Sequence, residues 1–595
     1  CRPDRGDWIH CGIILAVIVI YSISSYNRTI GIESFDSSFY MSRVIENSSA
    51  PVLGGFEYKT GVDLHGLITT YDYQGFNYLY SMVLKLLRPL IQENMLVSVY
   101  VWGASFVYYA FMASALIDIS GYLMKGWKRL ILVCFAIPFL VNYYNTALAF
   151  IGNTYRTVAA ALFIMLLYEY IKNKDRKVLF FASLCLVGGF SFSSSFLFMG
   201  AFILVGYFFY LVFSKENDPS VYFDFVLAAA PMAVLAALFS YNSEFLTTNV
   251  ISYLIPVAYA ILLILMTVLK RKNAVKTVDV LKKLFRVLFF VLLAVILYLS
   301  WLNRDSRFGY SFYFKDASHW DMLQNPFDFT TTEGIIRNTA YYVILLVAVI
   351  SRKDNRFFRV IGIVFLLFGN PLTEPFVAGY LTNVVYARMF DIFINPFIIC
   401  LCALRTMQAI KHEQAMLVPA CLCVYASSIT FTSIYNVQFI PSDNYDAVNR
   451  VDQEDVEIAE YIMEDTEANL YYRPVIISQT LSTKAFVSNC VSLLSKDDIL
   501  AAPAYSDGTE HCDDEVLVTF YPYTYNGEVV WAEKPDYKNM GDIVIRNDVT
   551  YVVFRKDIVT QMDTGDYINA WFYLRDTCDL ELETENYVVL KNKQK

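Results

Sequence analysis

Phe196-Leu-Phe-Met-Gly-Ala-Phe-Ile-Leu-Val-Gly-Tyr-Phe-Phe-Tyr-Leu-Val-Phe213 runs for 18 residues without a charged side chain. As an α-helix it would cover about 27 Å, close to the ~30 Å hydrocarbon thickness of a bilayer. Apolar all round, it has no polar face to offer water, so its solvent is lipid or other helices. Working outward, the same character recurs at Trp8–Tyr26, Met95–Ile119, Leu130–Tyr144, Tyr155–Ile171, Val178–Phe192, Val221–Ser240, Val250–Leu269, Leu284–Leu302, Ile335–Ile350, Phe357–Phe368, Tyr386–Leu404 and Met416–Ile434. Composition agrees: 56% of the 595 residues are hydrophobic and 16% aromatic, with a mean hydropathy of +0.42, above the usual range of soluble chains. The fold class is therefore a polytopic α-helical membrane protein of about thirteen transmembrane helices.

Orientation follows from the basic loops Lys125/Lys128/Arg129, Lys172 to Lys177, Lys270 to Arg286, Arg352 to Arg359 and Arg405 to Lys411, which fall at every second junction. By the positive-inside rule these are cytoplasmic, which places the N-terminus inside. The register requires that Gln74–Arg88 does not cross fully, so this stretch reads as an interfacial or re-entrant helix. Trp8–Tyr26 follows Arg2 and Arg5 without a small-residue cleavage site and reads as a first anchor.

The long apolar runs stop near residue 435. Beyond it lie 13 basic and 30 acidic residues, against 34 and 26 before it. So acidic a tail would be repelled by anionic cytoplasmic lipid, which predicts that 436–595 is extracytoplasmic. Asp452–Glu464 has an amphipathic helical pattern, and strand-like runs follow at Pro474–Ser478, Val516–Phe520, Asp542–Ile545, Val549–Phe554 and Tyr587–Leu590, with a helix near Tyr567–Leu574. That order predicts a C-terminal α/β domain after a membrane domain spanning 1–435. The scattered cysteines include no metal-spaced cluster. Cys490, Cys512 and Cys578 allow one disulfide or buried thiols.

The outer loops 27–73 and 303–334 are far longer than the usual ~4–6 residues and are the places to look for function. In the first, Asp36, Tyr40 and Arg43 fall on one face of a helix that Asp36 would cap. A carboxylate there suits a general base, a cation ligand or a plain cap. Arg156 and Arg388 lie near the outer ends of apolar runs. An ionised group in a span is expensive and commonly lines a cavity, though an interfacial Arg can also snorkel. A guanidinium fork matches phosphate. The second loop carries Arg304, Arg307 and His319, fit for a phosphorylated or sugar-like ligand or for an interfacial belt. No phosphate-binding GxxxxGK[ST] loop and no GxGxxG after a strand occurs, which disfavours nucleotide chemistry.

This layout resembles the GT-C superfamily of membrane glycosyltransferases, close to uncharacterised bacterial polytopic members. The similarity rests on Glu33, Asp36 and Tyr40 after the first anchor, the aromatic stretch Tyr71-Asp-Tyr-Gln-Gly-Phe-Asn-Tyr-Leu-Tyr80, the helix end at Arg156, Val384-Val-Tyr-Ala-Arg-Met-Phe390 before Pro396, and the tail segments 548–554 and 585–590. The family's adjacent acids are here split as Glu33 and Asp36. The resemblance implies Asp36 and Glu33 as catalytic acids, Arg156 and Arg388 as donor-phosphate ligands, and Tyr40, Arg43, Arg304, Arg307 and His319 as substrate contacts. It implies a polyprenyl-phosphate-linked sugar donor, a glycan, lipid or protein acceptor, a place among plasma-membrane lipids and no nucleic acid. No cofactor is fixed, and a divalent cation stays open. Rival readings are a lipid-linked polysaccharide polymerase or ligase centred on Arg304 and Arg307, and a transporter or flippase, which the lack of an inverted repeat disfavours.

Overall fold

The structure, a computed structural model, describes residues 75–91, 152–242, 249–303, 356–370, 372–381, 453–466, 476–478, 523–525, 528–530, 540–546, 549–556 and 574–595, with isolated helical residues between 8 and 111 and at 346 and 392. The described residues are mostly helical. Four of their helical segments are long and apolar enough to cross a membrane: Phe196–Phe213, Pro219–Leu238, Tyr253–Arg271 and Val275–Leu302.

The helices in chain order are α1 (Gly75–Leu87), α2 (Gly152–Asn173), α3 (Arg176–Phe192), α4 (Phe196–Phe213), α5 (Pro219–Ala228), α6 (Ala230–Asn242), α7 (Asn249–Arg271), α8 (Val275–Leu302), α9 (Arg356–Phe368) and the single turn α10 (Glu374–Phe376). Burial sorts them: 72% of the Phe196–Phe213 segment is buried against 11% of Tyr253–Arg271. So α4 is the bundle's axis and α7 lies at its edge. Glycine allows close approach to the axis. A Cβ on Gly206 would run into Val364 and Val360 of α9, and Phe202 stacks on Phe368 with ring centroids 4.4 Å apart. Tight reversals join neighbours. Asp175 accepts the Lys177 N–H at 2.9 Å to cap α3, and Asp218 accepts that of Ser220 at 2.8 Å to cap α5.

Several sequence expectations are corrected. The stretch from Lys270 to Arg286 is not a loop: α7 continues to Arg271, residues 272–274 turn, and α8 begins at Val275. Lysine and arginine are good helix formers, and Lys283 pairs with Asp279 one turn away at 3.0 Å. The run Val221–Ser240 is borne out as a segment long and apolar enough to cross, Pro219–Leu238, with a break at Ala229 between α5 and α6. The stretch expected to be an interfacial or re-entrant helix forms the 13-residue α1 followed by a 3₁₀ turn, Arg88–Leu90. Its apolar Leu79 and Leu86 are exposed while Asn77 and Ser81 are buried. That inside-out pattern suits a helix whose outer face meets lipid.

In the C-terminal residues, α11 (Gln453–Thr466) precedes a four-stranded mixed sheet of order β1-β4-β6-β5. The strands are β1 (Ile476–Ser478), β4 (Tyr551–Arg555), β5 (Cys578–Glu583) and β6 (Tyr587–Asn592), and β2 (Tyr523–Tyr525) with β3 (Glu528–Val530) form a hairpin. β1 runs parallel to β4, with Ile477 opposite Val552, and β6 lies antiparallel to both β4 and β5. Val552, Val553, Val589 and Leu590 fill its core with Ile458 and Ile462 of α11. Asp465 of α11 accepts hydrogen bonds from Lys591 at 2.6 Å and from the Tyr551 hydroxyl, which hold its carboxyl below the usual range. Asp542–Ile545, expected as a strand, lies instead in α12 (Met540–Arg546); a run so short has no period to decide between the two. The strand β5 was not foreseen. Cys578 is a free, buried thiol, pushed up to about 12 by burial, so it closes no disulfide. The expected strand Val516–Phe520 lies outside the described residues.

Candidate functional site

The connections 174–175, 214–218 and 272–274 lie at one end of the bundle, since Lys174 pairs with Glu216 at 2.7 Å and Lys282 donates to the Glu216 carbonyl at 2.6 Å. This basic end opposes the end where α2 begins, α3 stops and α4 starts. At that second end Arg156 lies one turn into α2 and is 1% exposed. Its Nη1 donates to the Ser195 hydroxyl at 2.5 Å, and Ser195 is 2.8 Å from the Ser193 hydroxyl. Both serines are buried in the turn between α3 and α4.

Four rings cluster around Tyr155 and Phe192, the chain neighbours of Arg156 and Ser193. Tyr155 stacks on Phe192 at 5.2 Å, and Phe76 of α1 and Phe111 each meet both rings at 4.9–5.5 Å. The backbone is drawn together by Gly152, where a Cβ would fall on the carbonyl oxygen of Phe192. The local sequence explains the geometry. Apolar runs end at Phe192 and resume at Phe196, and the three serines between them turn the chain, with Ser195 presenting its hydroxyl to Arg156 and Ser193 bonded to Ser195. A guanidinium so placed is not snorkelling. Its orientation is fixed by packing and by a hydroxyl that adds no charge of its own, the kind of preorganised donor that suits an anion.

Of the other expected site residues, Arg43 is described. It is fully buried, with its guanidinium 4.7 Å from the Tyr78 ring centroid of α1. Asn47 donates to its carbonyl at 2.6 Å, one helical turn on. Thus α1 carries Phe76 against Tyr155 and Phe192, and Tyr78 against Arg43. Glu33, Asp36, Tyr40, Arg304, Arg307, His319 and Arg388 lie outside the described residues. Among the described residues no group of three or more His, Cys, Asp or Glu could hold a metal ion.

Sequence reasoning passed over two features. Ser193 and Ser195 were legible as a polar triplet between two apolar runs. Asp224 was legible as the one acid in Val221–Ser240. It is 5% exposed and gathers four elements at the basic end. Arg176 of α3 reaches it with Nε at 2.9 Å and Nη2 at 3.0 Å, the Tyr170 hydroxyl of α2 donates at 3.1 Å, and Lys270 of α7 stands 3.6 Å away. No family model matches this chain, and neither does any curated protein.

Proposed function

We propose that this chain is a glycosyltransferase of GT-C type, which moves a sugar from a polyprenyl-phosphate donor to an acceptor on the outer face of the plasma membrane in cell-envelope glycan assembly. In this reading the chain crosses the membrane about thirteen times, the basic end faces the cytoplasm, and residues 436–595 form an extracytoplasmic α/β domain that helps bind acceptor. The observation that carries it is Arg156, buried and braced on Ser195 at the end opposite the basic rim. Arg156, with Arg388, holds the donor phosphate, and Asp36 supported by Glu33 acts as base or positions the acceptor. Arg43, Tyr40, Arg304, Arg307 and His319 contact substrate. Catalysis is then positioning plus neutralisation of the departing phosphate.

The test uses the full chain in nanodiscs, titrated with undecaprenyl phosphate and with the matching alcohol. Arg156→Met is expected to weaken phosphate binding about 10- to 100-fold, the worth of a charge-assisted hydrogen bond, and to leave the alcohol unaffected. Asp36→Asn is expected to bind donor normally and to transfer nothing from a panel of polyprenyl-phosphate hexoses. Equal binding of phosphate and alcohol by the wild-type protein, or full transfer by Asp36→Asn, would overturn the reading.

A further inference from the structure

At the basic end the chain builds a second charged feature for which the transfer reaction has no use. α5 packs between α3 and α7, pinned to α3 by the Ser183 hydroxyl on the Ala228 carbonyl at 3.0 Å and to α7 by the Tyr259 hydroxyl on the Val226 carbonyl at 2.8 Å. α3 and α7 thus flank α5, and Arg176 and Lys270 reach from these two helices to the one carboxylate of Asp224. Two cations on one anion leave a single positive charge in surplus. Arg176 remains 64% exposed and Lys270 28% exposed, while Asp224 beneath them is buried. Lys270 is also held 4.0 Å over the Phe223 ring, which keeps its ammonium beside Asp224 instead of in open solvent. One helical turn beyond Arg176 the outward face becomes apolar: Phe180, Phe181 and Leu184 on α3 and Leu227 on α5 are all exposed.

We propose that this face binds the headgroup of an anionic phospholipid, its phosphodiester between Arg176 and Lys270 and its acyl chains along Phe180, Phe181, Leu184 and Leu227. The charge match is one negative phosphodiester on one surplus positive charge. The spacing from the cations to the first exposed rings is about one helical turn, ~5.4 Å, the step from headgroup to acyl region. Asp224 sets the strength of the site, since it competes with the phosphate for both cations. This lipid is a bound companion of the fold, and the site stands apart from Arg156.

Native mass spectrometry of the full-length protein released from detergent tests the site, with phosphatidylglycerol and phosphatidylcholine of identical acyl chains as probes. Wild-type protein is expected to retain phosphatidylglycerol preferentially. The R176Q/K270Q double variant should lose about 30-fold of that retention and K270Q alone, which keeps the Arg176–Asp224 pair and the fold, about 5-fold. D224N should strengthen retention, the opposite of what a purely structural role gives. Equal retention of the two lipids by wild-type protein, unchanged retention in K270Q, or weakened retention in folded D224N would each overturn the proposal. Displacement of bound lipid by glycerol 3-phosphate would also overturn it, because the site would then be one for a free anion. None of these outcomes bears on undecaprenyl phosphate binding at Arg156.

Discussion

One buried charge at each end of the helix bundle, Asp224 and Arg156, is treated in the opposite way to the other. At the basic end the buried group is a carboxylate, Asp224, met by Arg176, Lys270 and Tyr170 from three other helices. At the far end it is the guanidinium of Arg156, met by a serine hydroxyl and flanked by rings. The difference shows what each end is for. A carboxylate among cations is a structural knot, because Coulomb attraction and hydrogen bonds offset the cost of desolvation. Arg156 is braced instead by a neutral hydroxyl, which fixes the orientation of its guanidinium. The first arrangement ties helices together, and in the proposed function the second holds the donor phosphate.

The comparison breaks first at Gly152, where the largest effect is expected. A methyl there falls on the backbone carbonyl of Phe192, which cannot rotate away as a side chain could. Gly152→Ala should therefore push α2 off the end of α3, lower stability by roughly 3 kcal/mol, and separate Arg156 from Ser195. Thermal unfolding in detergent measures the first effect, and loss of undecaprenyl phosphate affinity the second. A Gly152→Ala protein as stable as wild type would mean that the junction is looser than its geometry indicates.

At the other end, Asp224→Ala removes the carboxylate but leaves Arg176 and Lys270 in place. Breaking a fully buried pair costs about 3–5 kcal/mol. Arg176 is largely exposed, so its charge regains water, and about 2 kcal/mol is expected. Asp224→Ala should leave Arg156 function intact once the protein is folded. If it abolishes donor-phosphate binding at unchanged stability, the two ends are not separate in the sense argued here.

Much of this contrast was written in the sequence. The charge-free run Phe196–Phe213 marks the axis, and Arg156 stands out because an arginine in an apolar run is rare. Lys172 to Lys177 marks the basic end. What periodicity could not reveal was which polar residues meet across helices. Ser195 lies 39 residues from Arg156 in sequence, and Asp224 lies 48 from Arg176. Those pairings depend on how α2, α3, α4 and α5 stack, a property of shape that no single segment carries. The same limit explains the basic stretch Lys270 to Arg286. Its charges look like a loop, yet all but three residues between α7 and α8 stay helical, with Lys282 donating its ammonium to the Ser214 carbonyl at 2.9 Å and to Asn217 Oδ1 at 2.7 Å. Asp542–Ile545 failed differently, because a run so short fits helix and strand equally well.

The smallest expected effect sharpens the claim that the basic end is a set of graded ion pairs. Lys174 and Glu216 meet at 2.7 Å in the connections between helices, and both are partly exposed. Burial pushes the Glu216 carboxyl up, but the Lys174 hydrogen bond and charge, together with the backbone N–H of Asp218, outweigh it and leave the group below its ordinary value. A carboxyl depressed in the folded state stabilises above its unfolded pKa, near 4.3, and that stability is lost as pH falls through the lower folded value. An exposed pair of this kind contributes at most about 1 kcal/mol. Unfolding temperatures of wild type and Glu216→Gln should thus differ slightly at pH 7 and converge below about pH 4. The same small difference should shrink in 1 M salt, where the Debye length is about 3 Å. A difference that persists in acid would assign the effect of Glu216→Gln to packing against Ser214 and Asp218, and would leave Asp224, among the described residues, as the buried carboxylate whose charge ties the basic end together.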